Sequence, residues 1–297
     1  MLKRSVSNAM RILMVAVAYV MAMSVAAFAA VPGMNWDTST ITVRGEGVTP
    51  PNAINPAQGR MLARRAAVVD AYRQLAETVK GVQVESGSTV GMYMTMDDTT
   101  STKVSAVIQG ARIVGEDRTM DGGYWVEMQV PVFGISNSLA AAVLPQPPYK
   151  ESFPEPNPSM EPSQTNMNVD ITVNQGTSYG SPANRAIGGY TGLIVDCRGL
   201  GLNPVMSPVI KNADGTKIYG HLNLDYDRVV AQGMAGYAYD ISSTSAARAG
   251  HNPMVVKAVG LDNHNSNPVI SVADANRILI ENKATGFLDQ CAVVFLR

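Results

Sequence analysis

Two cysteines and three histidines are the residues of this 297-residue chain that could carry thiol, disulfide or metal chemistry. Cys197 and Cys291 each adjoin a run of apolar residues rich in β-branched side chains, which is typical of a buried strand. Two alternatives stay open for them: one disulfide in an oxidising compartment, or two buried free thiols. His221, His251 and His264 lie in three separate turn-like segments, and a metal site would require them to converge with a carboxylate. The sequence therefore predicts no metal site.

A glycine pair after an apolar run raises the question of dinucleotide binding. Residues 193–197 are strand-like, and Gly199 and Gly201 follow them with G-x-G spacing. The third glycine of that motif is replaced by Pro204, and Pro208 continues the segment as a loop rather than as the helix N-terminus that binds a pyrophosphate. The chain also lacks a phosphate-binding loop, a serine nucleophile elbow and a zinc-protease motif. We expect no cofactor and no enzymatic activity.

Three arginines mark a candidate interaction surface on the helix that the sequence predicts most strongly. The helix runs for about five turns and ends at Gly81. Its predicted apolar stripe consists of Leu62, Arg65 or Ala66, Val69, Tyr72, Leu75 or Ala76, and Val79. Arg64, Arg65 and Arg73 form either a phosphate-facing patch or a solvated face on which the alkyl stem of Arg65 covers the edge of the stripe.

The elements around this helix predict a first domain over residues 40–144. Residues 40–46 alternate between apolar and polar side chains and predict a strand before the helix. Residues 111–116 and 124–130 alternate on either side of an Asp-Gly turn and predict a hairpin after it. Between the helix and the hairpin, residues 87–103 are rich in Ser, Thr and Met, and we expect an excursion or an exposed β-ribbon there.

A proline-rich linker over residues 145–187 separates this domain from a second one over residues 188–297. Seven prolines fall between positions 145 and 162, and they predict a semi-rigid, extended spacer. The second domain begins with the strand at 192–197 and contains a hairpin around Asp214-Gly215. Asp225 is a predicted helix cap, and Ser271 or Asp274 begins the last helix. The predicted fold class is α+β, with two small domains whose sheets are mostly antiparallel.

The N-terminus predicts export. Lys3, Arg4 and Arg11 precede an uncharged apolar run over residues 12–28, and Ala-Phe-Ala at 27–29 has the small residues of a cleavage site. We therefore expect a signal peptide over residues 1–29; the alternative is an uncleaved anchor. No cysteine follows the apolar run, so lipid attachment at a processed cysteine is not expected. The net charge of −1 argues against nucleic-acid binding, which needs a basic face.

The helical segment at 63–77, the residues Val79-Lys80-Gly81-Val82 and the strand at 43–47 resemble a known signature. They are similar to the Lpp20 family of envelope lipoproteins and to the N-terminal domain of flagellar assembly protein T, a periplasmic component of the ring around the flagellar basal body. Residues 190–196 and 199–201 are similar to the C-terminal part of longer exported proteins of the same grouping. The resemblance implies a non-enzymatic envelope protein that assembles with others, and it carries no catalytic residues over.

These observations lead to two functional hypotheses. The first is an exported structural or assembly protein of the periplasm or cell envelope. Its partners would be envelope proteins, among them flagellar basal-body components, and membrane association would be peripheral or through the uncleaved N-terminal segment. The second is an exported ligand-binding protein or hydrolase with a site in the second domain or between the domains. A deep pocket that contains a histidine favours the second hypothesis, whereas exposed apolar or edge-strand surfaces favour the first.

Overall fold

The computed structural model describes residues 33–156 and 186–297. The predicted signal peptide and most of the predicted linker lie outside these residues. Within the described ranges the α+β class is confirmed, and antiparallel strand pairs outnumber parallel ones. The described residues belong to one compact unit, Pro32–Arg297. No helix in the described part of the chain has the length and apolar character needed to cross a membrane.

The N-terminal half contains a four-stranded antiparallel sheet with a long helix packed across it. Its strands are β1 (Gly33–Asn35), β2 (Thr40–Gly47), β3 (Gln83–Glu85), β4 (Ser88–Thr89), β5 (Arg112–Arg118) and β6 (Tyr124–Pro131). Its helices are α1 (Pro56–Gly81), α2 (Val90–Met96), α3 (Asp98–Gln109) and α4 (Leu139–Val143). The sheet order is β1-β2-β6-β5, and β3 pairs with β4 in a separate ribbon. The predicted strand at 40–46, the long helix and the hairpin are confirmed.

Helix α1 lies unusually close to β2 because both surfaces consist of small residues. A methyl group on Gly45 would lie 2.2 Å from the backbone nitrogen of Ala71 and 2.3 Å from the carbonyl oxygen of Ala67. A methyl group on Gly47 would lie 2.1 Å from the carbonyl oxygen of Ala63. Since the backbones are in contact at these points, only glycine fits on the strand.

This close approach corrects the N-terminal part of the predicted apolar stripe of α1, whereas its C-terminal members Leu75 and Val79 are buried as predicted. The buried residues of the helix are Gly59, Ala63, Ala67, Ala71, Leu75 and Val79. The predicted members Leu62 and Val69 are instead exposed. Opposite Gly45 and Gly47 there is room only for alanine, so in the first turns of the helix the buried face is Ala63, Ala67 and Ala71 rather than Leu62 and Val69.

The expectation of an excursion or β-ribbon over residues 87–103 is wrong for most of that segment. Only β4 belongs to a ribbon, and α2 and α3 follow it. The hydroxyl of Thr89 accepts a hydrogen bond from the backbone of Met92, and the carboxylate of Asp97 accepts bonds from Thr99 and Thr100. These two side chains cap the helices and satisfy backbone groups that would otherwise lack partners. The prediction was wrong because it assigned the polar residues to a loop or ribbon, whereas some of them are helix caps.

The C-terminal half contains two four-stranded sheets. Its strands are β7 (Gly192–Asp196), β8 (Ile210–Asn212), β9 (Lys217–Tyr219), β10 (Gly236–Ala238), β11 (Pro253–Lys257), β12 (Gly260–Asp262), β13 (Asn267–Ile270) and β14 (Val293–Leu296). Its α-helices are α5 (Tyr226–Gln232) and α6 (Val272–Thr285), and short 3-10 helices lie at His221–Asn223 and Thr244–Ala249. The sheet orders are β10-β14-β7-β11 and β12-β13-β8-β9. Asp225 caps α5 as predicted, and of the two candidates for the start of α6, Ser271 and Asp274, Ser271 is the cap.

The sheet that contains β7 differs from the expected antiparallel arrangement of this half. All three of its strand pairs are parallel. Every residue of β7 and β14 is buried, as expected for central strands of a parallel sheet that is covered on both faces. Their uninterrupted apolar runs indicated burial correctly, but the strand direction depends on the connections between strands, which the local pattern does not encode.

The two halves share one apolar core and are joined by backbone hydrogen bonds. The amide of Met206 donates to the carbonyl of Gln83 at 3.0 Å, and the amide of Ser207 donates to Val84 at 2.7 Å. The described part of the predicted linker, up to Pro156, also packs against the C-terminal half, where Phe153 stacks on Tyr219 with ring centroids 6.5 Å apart.

The contact between α1 and β2 generates a stability prediction. Gly45→Ala should lower the free energy of unfolding by about 2 kcal/mol or more, because the added methyl group meets immovable backbone. Urea denaturation measures the loss. The matched control is Gly81→Ala, where a methyl group would meet no atom within 4 Å and where stability should stay equal or rise by up to ~1 kcal/mol. Equal stability of the Gly45→Ala variant and the parent chain would contradict the packing described here.

Candidate functional site

A polar cavity lies where β3, the proline-rich segment and the C-terminal half meet. Its volume is about 310 Å³. The charged and imidazole side chains that line it are Glu85, Glu151, Lys211, Lys217 and His221. A smaller, more apolar cavity of about 130 Å³ adjoins it and shares Glu85, Ser207 and His221. The two cavities together form the candidate site.

His221 stands at the boundary of the two cavities, at the start of a short 3-10 helix. Burial lowers the pKa of His221; Lys217 acts in the same direction, whereas Glu85 and Glu151 oppose the shift. Its ring nitrogens have no hydrogen-bond partner among residues 33–156 and 186–297. A half-buried imidazole without a partner is free to accept or donate a hydrogen bond to a molecule in the cavity.

Other charged groups of the cavity are held by neighbours. The hydroxyl of Tyr93 donates to Glu85 at 2.7 Å, and burial together with this bond raises the pKa of Tyr93. The ammonium group of Lys211 pairs with Asp262 and lowers the pKa of that carboxyl group. The cavity therefore presents both signs of charge in fixed positions, which suits a ligand that carries polar groups of both kinds.

The three arginines of the predicted interaction helix do not converge on one patch. Arg64 pairs with Glu116 of β5 at 2.8 Å. Arg73 lies on the helix surface between Asp70 and Glu77 and pairs with both at 2.8 Å. Arg65 forms no ion pair within the described part of the chain, and with Arg73 it lines a shallow groove along the outer face of α1. Most of their positive charge is thus neutralised by neighbouring carboxylates.

The two cysteines are buried free thiols in this structure. Cys197 follows the end of β7, whereas Cys291 precedes the start of β14, and the two strands are parallel neighbours in which Leu193 lies beside Val293. The thiols therefore lie near opposite ends of the strands, separated by roughly 20 Å at about 3.3 Å per residue. This separation leaves the free-thiol alternative and excludes a bridge between them in this fold.

The remaining sequence candidates are dispersed. His264 lies beside Ser86, with the hydroxyl oxygen 3.3 Å from Nδ1, in a turn of left-handed residues between β12 and β13. His251 is exposed in a different loop. Gly199 and Gly201 both have positive φ angles and turn the chain after β7. No group of three metal-ligating side chains occurs among the described residues.

Sequence reasoning missed the cavity itself. Glu85, Glu151 and His221 come from segments about seventy residues apart, and none of them lies in a recognisable motif. The sequence pattern around His221 predicts only an isolated turn. No local signal connects these residues, because their proximity depends on the docking of β3 against residues 206–207.

Two family models match separate parts of the chain. Residues 50–131 match the LPP20 lipoprotein model, and residues 192–297 match the model of the second domain of Treponema pallidum Tp0624. The first match ends with the last residue of β6, and the second begins with the first residue of β7. No curated protein matches the chain. The resemblance of the N-terminal half to the Lpp20 family is therefore confirmed.

The lowered pKa of His221 generates a pH prediction. As the pH falls, the unfolded chain takes up a proton on this histidine before the folded chain does, so the free energy of unfolding decreases. His221→Gln should reduce the loss of stability between about pH 7.5 and about pH 5. Thermal unfolding at the two pH values measures it, with the exposed His251→Gln as the control. If His221→Gln has the same pH dependence of stability as the parent chain, the pKa of His221 is not lowered in the folded protein.

The cysteine geometry generates a chemical prediction. The folded protein should contain two thiols that react slowly with a thiol reagent and rapidly after unfolding, since burial raises the pKa of Cys197 to about 12. Reductant should leave the melting temperature unchanged. Counting thiols on protein purified under oxidising conditions checks this. A mass lower than that of the reduced chain by two hydrogen atoms would show that the cysteines pair.

Proposed function

We propose that this chain is an exported, non-enzymatic assembly protein of the cell envelope, which acts in the periplasm at the flagellar basal body or the outer membrane. The match of residues 50–131 to a lipoprotein family supports an envelope location. The basic and apolar N-terminal residues support export. The proposal includes no lipid attachment, because the two cysteines of the sequence are both buried.

The observation that carries this proposal is the exposed edge strand β5. It has seven residues, lies at the edge of the sheet beside β6, and only Gly115 within it is partly covered. The opposite edge, β1, has only three residues. A long edge strand presents unpaired backbone donors and acceptors, to which a strand of another protein can add.

The side chains of β5 strengthen its suitability for a partner. Ile113 and Val114 are adjacent and both substantially exposed, so each face of the strand carries an apolar group. Proteins that avoid edge pairing usually place charges, proline or a bulge on an edge strand. β5 carries charges at Arg112 and at residues 116–118 and has a register irregularity between Ile113 and Gly115, so the apolar pair at 113–114 is the part of the strand that suits a partner. Arg64 of α1 pairs with Glu116 in the C-terminal part of β5. This ion pair holds that part of the strand next to α1 in the absence of a partner.

A second candidate function is that of an exported ligand-binding protein or hydrolase, with the polar cavity as its binding site. The observation that favours it is His221, which lines both cavities without a hydrogen-bond partner in the described ranges. A cavity of about 310 Å³ can hold a small polar molecule. A hydrolase would need a nucleophile next to this imidazole, and no described hydroxyl group forms a hydrogen bond with it.

Crosslinking in living cells tests the first candidate. The envelope fraction is captured through a tag on this chain, and mass spectrometry identifies the partners and the mature N-terminus. We expect stoichiometric envelope components and an N-terminus at Ala30. Ile113→Lys/Val114→Lys should abolish the crosslinks, because two ammonium groups on an edge strand oppose strand addition.

The matched control is Ile135→Lys/Val259→Lys, which adds the same charge at exposed apolar positions outside β5 and should retain the partners. A monomer without crosslinked partners would disprove the assembly role. Saturable binding of a small molecule, lost in His221→Gln, would then support the second candidate.

A further inference from the structure

The polar cavity and its apolar neighbour are lined by buried polar residues whose hydrogen-bonding groups are not all used by the fold. Ser207 lines both cavities, and Asn223 and Asn267 line the polar one. Each of these three residues is at most 8 % exposed. Buried polar groups are normally hydrogen-bonded, so an unused group on a buried residue beside a cavity points to a bound molecule.

One atom on each of these residues forms no hydrogen bond within the described part of the chain. The hydroxyl group of Ser207 has no partner there. The side-chain oxygen of Asn267 accepts from the amide of Val209 at 3.0 Å, which leaves its side-chain nitrogen free. The side-chain nitrogen of Asn223 donates to the carbonyl of Ser152 at 3.1 Å, which leaves its side-chain oxygen free.

These three free atoms open onto the cavities. Among the described residues, a single side-chain polar atom is both sealed from solvent and without a hydrogen-bond partner, namely Nε of Arg44 in β2. The free atoms of Ser207, Asn223 and Asn267 are therefore accessible, and on residues so deeply buried the accessible space is the cavity that they line. A donor, an acceptor and a hydroxyl group that can act as either are thus available to a ligand.

Two exposed side chains of the polar cavity carry opposite charges and form no ion pair in the described ranges. Glu151 is held beside the 3-10 helix, because its amide donates to the carbonyl of Leu222 at 2.7 Å. Lys217 begins β9 and lies opposite Lys211 of β8. Lys217 adds to the lowering of the pKa of His221 and Glu151 opposes it, so both charges act on this part of the cavity. An ammonium group can therefore pair on one side and a carboxylate on the other.

The smaller cavity supplies an apolar space next to these charges. Val84, Leu144 and Val229 are buried and line it, together with Pro145 and Pro147. Its volume of about 130 Å³ accommodates an aliphatic side chain of about four carbon atoms, at roughly 30 Å³ for a group the size of a water molecule. Because this cavity adjoins the polar one, a single ligand can occupy both.

We propose that the two cavities bind a free α-amino acid with an aliphatic side chain, such as leucine, isoleucine, valine or methionine. Its ammonium group pairs with Glu151 and donates to the side-chain oxygen of Asn223. Its carboxylate pairs with Lys217 and accepts from the side-chain nitrogen of Asn267. Its side chain lies in the smaller cavity. The proposal goes beyond the assembly role of β5, rests on the second candidate function and names the ligand for it.

Isothermal titration calorimetry with leucine tests the proposal. The protein is the chain from Ala30 onward, which contains every described residue and is dialysed to remove bound small molecules. Leucine should bind at one site with a Kd below about 1 mM, and alanine should bind at least ~tenfold more weakly because it leaves the apolar cavity empty. N-acetyl-leucine lacks the ammonium group and leucinamide lacks the carboxylate, so each should also bind at least ~tenfold more weakly.

The test variants remove one charge each. Glu151→Gln and Lys217→Gln should each weaken leucine binding by at least ~fivefold. In Glu151→Gln the preference for leucine over N-acetyl-leucine should shrink, and in Lys217→Gln the preference for leucine over leucinamide should shrink. The control is Lys103→Gln/Glu127→Gln, which removes one charge of each sign outside the two cavities and should bind leucine like the parent chain. Thermal melting shows that each variant is folded.

Three results would overturn the proposal. They are the absence of saturable binding for all four named amino acids, equal affinity for leucine and either of its two derivatives, and unchanged leucine affinity in both single-charge variants. Equal affinity for leucinamide would mean that the site binds the N-terminus of a peptide.

The outcomes for the ligand and for the two candidate functions are distinguishable. If a small molecule of another class binds instead, and His221→Gln abolishes its binding, the second candidate function stands and the amino-acid proposal fails. None of these results alters the crosslinks that depend on β5, so the assembly role is tested separately.

Discussion

The close contact between α1 and β2 is the constraint on which the N-terminal half depends. Backbone meets backbone at Gly45 and Gly47, so the helix can present only alanine at that contact. Its rotation is thereby determined, and the larger apolar residues Leu62 and Val69 are turned toward solvent. The same contact sets the axial position of the helix, and so places its first turns beyond the end of the sheet. The buried face and the exposed face of α1 in its first turns thus follow from one packing requirement.

The junction between the halves follows from a second contact of backbone groups. Hydrogen bonds from residues 206–207 to Gln83 and Val84 make β3 part of both halves. The ribbon that carries Glu85 is thereby held over the segment that contains His221, and the polar cavity lies between them. The site on which the ligand-binding hypothesis depends is therefore a product of docking, and neither half contains it alone.

Local patterns predicted many elements well, because capping and hairpin formation depend on neighbouring residues. Asp225 and Ser271 accept hydrogen bonds from amides three positions ahead, so composition alone reveals them. The hairpin of β5 and β6 follows from alternation around an Asp-Gly turn. The prediction from local composition was wrong at residues 87–103. Polar residues such as Thr89 and Asp97 were assigned there to a loop or ribbon, but they cap two helices.

The sequence by itself determined the α+β class, the long helix, the resemblance to the Lpp20 family and the apolar character of β7 and β14, since each of these depends on residues close together in the chain. Only the tertiary structure decided which face of α1 is buried, that β7 and β14 are parallel, and that Cys197 and Cys291 lie apart. It also brought His221 to Glu85, and the turn at Gly122 to Thr49. These features depend on distances between segments far apart in sequence, and such distances arise only when the segments pack.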